Sequence, residues 1–125
     1  MMRFLLAALL IVHGVAHLVG FAVPWRLVAS PDVPYRTTIL AGTIDVGDTG
    51  VRVLGILWLL VASGLVLLGS VLFSGVGVRA AVLPLLGFSL LLCFVGWPDA
   101  RIGVVVNVVL LGVMLAVRHL GDVAS

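Results

Sequence analysis

Lysine, glutamate and glutamine are missing altogether from this 125-residue chain, and Asp, Glu, Lys and Arg together make up only 10% of it. Soluble domains carry about 25% charged residues, so this composition cannot cover an ordinary water-soluble fold. Seven Arg and five Asp supply the charge, and all of them fall outside the long apolar runs. The formal net charge of +2 thus reflects short flanks rather than a basic patch, which excludes nucleic acid as a partner. A single cysteine, Cys93, excludes an intramolecular disulfide and any Cys-x-x-Cys redox or zinc motif. Alternation of polar and apolar residues is also lacking, and with it the signature of a transmembrane barrel.

What is present is apolar. Hydrophobic residues make up 63% of the chain, and the mean hydropathy is +1.40. Four apolar runs cover residues 4–23, 53–73, 80–97 and 102–117. Each approaches the roughly 17–25 residues that a spanning helix needs, the last being the shortest. Lipid offers backbone groups no hydrogen-bond partners, so such runs predict helices. The joints at 74–78 and 98–100 are short enough to make consecutive helices antiparallel neighbours. The expectation is an all-α membrane protein: a single transmembrane domain over 1–125, built as an up-down-up-down bundle of four helices. The first run also has the parts of a signal peptide, with Arg3 before an apolar stretch and Gly14-Val15-Ala16 as a small-residue cleavage site. Apolar sequence continues to Val23, which favours a retained helix.

The polar loop 24–50 holds Pro24, Pro31 and Pro34 with Asp32, Asp45 and Asp48. Within it, residues 35–40 and 43–46 are β-branched runs flanking Ala41-Gly42, the pattern of a short hairpin. Asp48 and Asp99 stand where N-caps of the second and fourth helices are expected. Arg52 and Arg101, next to these Asp, read as interfacial anchors with local ion pairs. Arg3, Arg79 and Arg118 fall at one end, and Arg26, Arg36, Arg52 and Arg101 at the other. The tight crowding of the first three favours both termini inside, with Trp25 and Trp97 in the outer aromatic belt.

Ionisable groups inside a membrane are costly and draw attention first. His13 and His17 sit four apart on one helical face, and with Ala16 and Gly20 they form a small, polar seam suited to face other helices. Counted inward from the loop side, Asn107, Trp58 and Cys93 share a depth with His17, while Ser63 and Ser70 are the polar groups of the other half. Three roles are open. The histidines and Asn107 can fix the bundle by interhelical hydrogen bonds, each about 0.6 kcal/mol. They can line a ligand or transport cavity with Trp58 and Asp99 or Asp48, capped by the polar loop. Or His13 and His17 can share a metal, as spacing i, i+4 permits, with a third ligand from Cys93 or an Asp. A bis-histidine haem is excluded for one chain, because one helical face cannot supply both axial positions. No cofactor follows from the residues, and a binding, accessory or transport component fits better than an enzyme. Small residues at Gly55, Ala62, Ser63 and Gly69, and at Ala80, Pro84 and Gly87, suit close helix approach within the bundle, in a homo-oligomer or against a membrane-protein partner.

The segment His13-Gly14-Val15-Ala16-His17-Leu18-Val19-Gly20-Phe21, with Asp45-Val46-Gly47-Asp48 and the stretch from Trp97 to Gly103, resembles uncharacterised bacterial four-span membrane proteins, some labelled permeases. The likeness covers nearly the whole chain and implies an inner-membrane location but no activity. Size and helix plan are also similar to DoxX-like proteins, without a motif that carries a role across. Small multidrug transporters are alike in size, but need a glutamate that is absent here. Fluoride channels show glycine-rich and paired-phenylalanine patterns that are absent too.

Overall fold

The structure, a computed structural model, describes residues 1–117. Its chain is mostly helical: α1 (Met2–His17), α2 (Val19–Ala22), a two-stranded ribbon β1 (Thr38–Ile39) and β2 (Ile44–Asp45), then α3 (Gly47–Phe73), α4 (Arg79–Val95) and α5 (Arg101–Val117). Arg118, counted above among the flanking charges, lies outside the described residues. Two helical stretches, Met2–Ala22 and Gly47–Phe73, are long and apolar enough to cross a membrane, and the other two helices are shorter and apolar.

Hydrophobic runs locate these helices, while their ends follow local bonding. The first run is interrupted at Leu18, whose N–H bonds Val15 O at 3.1 Å before the chain resumes as α2. This i→i−3 tightening needs no proline. The second helix starts at Gly47, six residues before the apolar run, because Asp48 suits a helical first turn. Asp48 is therefore not the N-cap expected of it. Val46 holds that position without a side-chain bond, and Asp45 accepts the Gly47 N–H at 2.9 Å.

α1 and α3 run antiparallel in close contact. Phe4 stacks near Phe73 with ring centroids 5.7 Å apart, Gly69 abuts Ala7, Gly14 abuts Ala62, and Gly20 abuts Trp58. The Gly14 approach is tight because a Cβ there would lie 2.9 Å from Ala62 O. α4 packs on α5 and on α3, whereas α1 meets α5 only lightly. The apolar core draws on all four long helices, through Leu6 and Leu10, Leu65 and Leu72, Val82 and Leu86, and Leu110 and Met114. Of the small residues expected at helix contacts, Gly55, Ala62 and Gly69 are buried, but Ser63, Ala80 and Pro84 are exposed and Gly87 faces open space. Smallness alone does not say which face of a helix is covered.

The hairpin forms, shorter than its β-branched runs, with Thr38 opposite Asp45 and Ile39 opposite Ile44. Its tip docks on the connection from α4 to α5. The Leu40 and Ala41 N–H groups donate to Val95 O and Trp97 O, both at 2.9 Å, with Leu40, Ala41 and Gly42 all at positive φ. Arg36 Nε reaches Asp99 Oδ2 at 3.0 Å from the same loop. Asp99 thus binds the loop and makes no capping bond. Arg26, not Arg52, pairs with Asp48 at 3.7 Å, and the Tyr35 hydroxyl donates to the same carboxylate. Tyr35 and Asp48 raise the pKa of the exposed Arg26, which stays cationic. Arg52 lies over the Trp25 ring, 5.4 Å from its centroid, and its carbonyl accepts the Trp25 indole N–H at 3.0 Å. A helical arginine points away from the turn that precedes it when a loop residue offers a better partner, which sequence adjacency cannot reveal.

Candidate functional site

The site begins with two turns of α1. Its buried residues, Leu6, Ala7, Leu10, His13, Gly14 and His17, recur at intervals of three and four, the spacing of one helical face. That face carries both histidines against α3, α4 and α5. Ala16, placed by the sequence on the same seam, is exposed and borders a cavity instead. Gly14, directly beside His13, makes the close helix contact.

His17 is held at both ring nitrogens. Nδ1 lies 2.9 Å from His13 O and Nε2 lies 2.6 Å from Ser89 Oγ. A carbonyl can only accept, so Nδ1 carries the proton of the neutral ring and Ser89 donates to Nε2. The Trp58 ring tilts against the His17 ring with centroids 4.9 Å apart, and glycine at position 20 leaves room for that indole. The two imidazoles meet edge to face at 4.4 Å.

Asn107 is 0% exposed. Its Nδ2 donates to Gly103 O at 2.8 Å, one turn back on α5, and approaches Cys93 Sγ at 3.5 Å. Its Oδ1 has no partner, and neither has His13 Nε2. Both atoms are buried, and the two side chains approach one another where α1 meets α5. An unpartnered buried polar atom costs about 1–3 kcal/mol, so each calls for an explanation.

A cavity of about 680 Å³ lies under the hairpin and between the helices. His13, His17, Trp58, Cys93 and Asp99 all line it, with Asn107 directly behind. The structure thus brings the six sequence-selected residues into one region. Its roof is the polar loop, through Arg36, Thr38 and Ala41. Sequence reasoning missed Ser89 and Arg36. Ser89 had a signal, being four residues before Cys93 and so on the same face of α4. Arg36 had none, since only the docked loop brings it to Asp99.

This chemistry is limited in a definite way. Ser89 and His17 have the spacing of a nucleophile and its base, but Ser89 is 0% exposed and does not line the cavity, so a substrate carbonyl cannot reach Oγ. For a metal, both His17 nitrogens are already engaged, and no group of three or more His, Cys, Asp or Glu stands together among the described residues. Compared with known proteins, the chain matches no family model, and neither a curated protein nor a solved structure is significantly similar to it.

Proposed function

We propose that this chain is a four-span integral protein of a bacterial inner membrane, with both termini cytoplasmic, that holds a small and largely apolar organic ligand without transforming it. The cavity beneath the hairpin carries this assignment: it is of ligand size, mostly apolar, and has a few polar groups converging on it. Support for four spans comes from the outward faces. Val15 is 53% exposed on α1, Leu67 63% on α3, Leu91 63% on α4 and Val105 62% on α5, far more apolar surface than a soluble monomer presents. In lipid this exposure costs nothing. The extensive packing of α1 on α3 favours a retained first helix over a cleaved leader. The role is that of a binding or accessory component, alone or with a membrane-protein partner.

The test is saturable binding. In a Trp25→Phe, Trp97→Phe background, Trp58 is the sole reporter. Dibrominated stearyl alcohol, titrated into protein held in phosphatidylcholine nanodiscs, should quench Trp58 to a plateau that unbrominated stearyl alcohol reverses. Ala16→Phe, which fills the cavity from an exposed wall position without adding a second indole, should abolish the saturable part. Quenching that only tracks probe partitioning into lipid, unchanged by the filling substitution, would exclude a binding cavity.

A further inference from the structure

The end of the bundle away from the hairpin carries a cluster of its own. Arg3, in the first turn of α1, and Arg79, the first residue of α4, flank the 74–78 turn that joins α3 to α4. The Arg3 guanidinium lies over the Phe4 ring, 4.7 Å from its centroid, and beside Gly75, where a Cβ would stand 3.1 Å from Nη1. Gly75 is at φ 85°, a conformation that glycine adopts freely, and its missing side chain leaves room for that cation. Arg79 follows four residues later, at most about 14 Å along the chain, so both cations belong to one surface.

Both arginines are half-buried, and the Nε of each is shut away with no hydrogen-bond partner. The ion pairs among the described residues are Arg26–Asp48 and Arg36–Asp99, and Asp32, Asp45, Asp48 and Asp99 all lie toward the hairpin end. A cation that loses hydration on one edge and gains no counter-charge is left under-compensated. The terminal nitrogens of Arg3 and Arg79 are not among the shut-in atoms, so an anion can reach them from outside.

The neighbours of these cations choose the kind of anion. Phe4, Phe73 and Val76 are exposed around the same turn, which sets apolar surface beside unpaired positive charge at the helix ends. A free inorganic anion would leave that surface bare. A lipid covers it with an acyl chain and offers its phosphate to the planar guanidinium groups, whose geometry suits phosphate oxygens. A zwitterionic headgroup would also bring an ammonium against two cations, whereas a headgroup of net negative charge brings none.

We propose that Arg3 and Arg79 form a site for a phospholipid of net negative charge, its phosphate on the terminal guanidinium nitrogens and an acyl chain against Phe4 and Phe73. The site rests on the membrane-spanning part of the function proposed above and not on the cavity, which lies under the hairpin at the other end.

Native mass spectrometry of the full chain, released from detergent, counts bound lipids directly. Dioleoylphosphatidylglycerol should add one molecule saturably and about tenfold more tightly than dioleoylphosphatidylcholine, and Arg3→Gln or Arg79→Gln should each remove about that tenfold, the loss expected for a charge-assisted hydrogen bond. Arg52→Gln, at the hairpin end, should leave the preference intact, and inorganic phosphate should not displace the lipid. Equal affinity for the two lipids overturns the site, as does a preference lost equally in Arg52→Gln, which would make it a response to net charge alone. Displacement by inorganic phosphate overturns the lipid in favour of a soluble anion. The lipid comparison needs no substitution, so it decides the matter even where an arginine variant fails to fold. Saturable quenching of Trp58 reads the cavity separately, so failure of either result leaves the other standing.

Discussion

The two ends of the helical bundle are both built from apolar helices and have quite different interiors. At the end where Phe4 meets Phe73, small residues let backbones approach: Gly69 against Ala7, and Gly14 against Ala62. Leu6, Leu10, Leu65 and Leu72 fill what is left. At the hairpin end, Trp58 and Trp97, the docked loop and a lightly packed α1–α5 seam hold the helices around a cavity. Hydrophobicity decides that both ends are buried in something. Side-chain volume and backbone approach decide which end is solid, because dispersion contacts are lost wherever two surfaces fail to meet.

Substitutions at matched positions can break that comparison. Leu65→Ala removes a fully buried side chain from the solid end and should cost about 3 kcal/mol. Val106→Ala, on the cavity wall, should cost under about 1 kcal/mol. Denaturant titration followed by circular dichroism in one detergent checks both, and equal losses would mean that the two ends are packed alike.

A smaller contrast compares two glycines. Gly14→Val drives a side chain at the Ala62 carbonyl, a backbone atom that cannot step aside, and should destabilise by about 2 kcal/mol. Gly20→Val meets only the Trp58 ring, which has the cavity to move into. That variant should keep most of its stability while its Trp58 emission shifts and probe quenching falls. A Gly20→Val protein as unstable as Gly14→Val would show that the indole is locked.

The smallest effect is at the surface. Arg36→Ala breaks an ion pair whose side chains are 54% and 23% exposed, worth no more than about 1 kcal/mol. Global stability should barely change. Exchange of the Leu40 and Ala41 amides, which hold the hairpin tip to α4 and its connection, should nevertheless accelerate. Unchanged exchange would mean that those two backbone bonds hold the loop without Arg36.

Helix positions were legible from the chain because an apolar run of this length has few other options, and a polar loop rich in turn residues delimits them. The ends were less so: Gly47 begins α3 in a segment that looks like loop, and Asp48 and Asp99 face Tyr35, Arg26 and Arg36 rather than cap helices. A carboxylate next to a helix start satisfies the capping pattern whether or not a more distant cation claims it. His13, His17, Asn107, Trp58 and Cys93 were found by counting depth along apolar helices, where each polar group stands out. Ser89 escaped because a serine in an apolar helix usually bonds its own backbone, as Ser63 and Ser70 do with Leu59 O and Val66 O.

By itself the amino-acid sequence determined that the chain is helical and apolar on most faces, that polarity gathers near one end, and that a hairpin interrupts the first long loop. These follow from local quantities: run length, period and turn residues. Only the tertiary structure decided that the hairpin closes over the helix ends, that Arg36 joins Asp99 across 63 positions, that His17 finds Ser89, and that His13 and Asn107 are left facing each other with atoms unpartnered. Those outcomes depend on how far α1 stands from α5. That distance follows from how α1 seats on α3, where Gly14 and Gly69 allow close approach, and no local pattern encodes it.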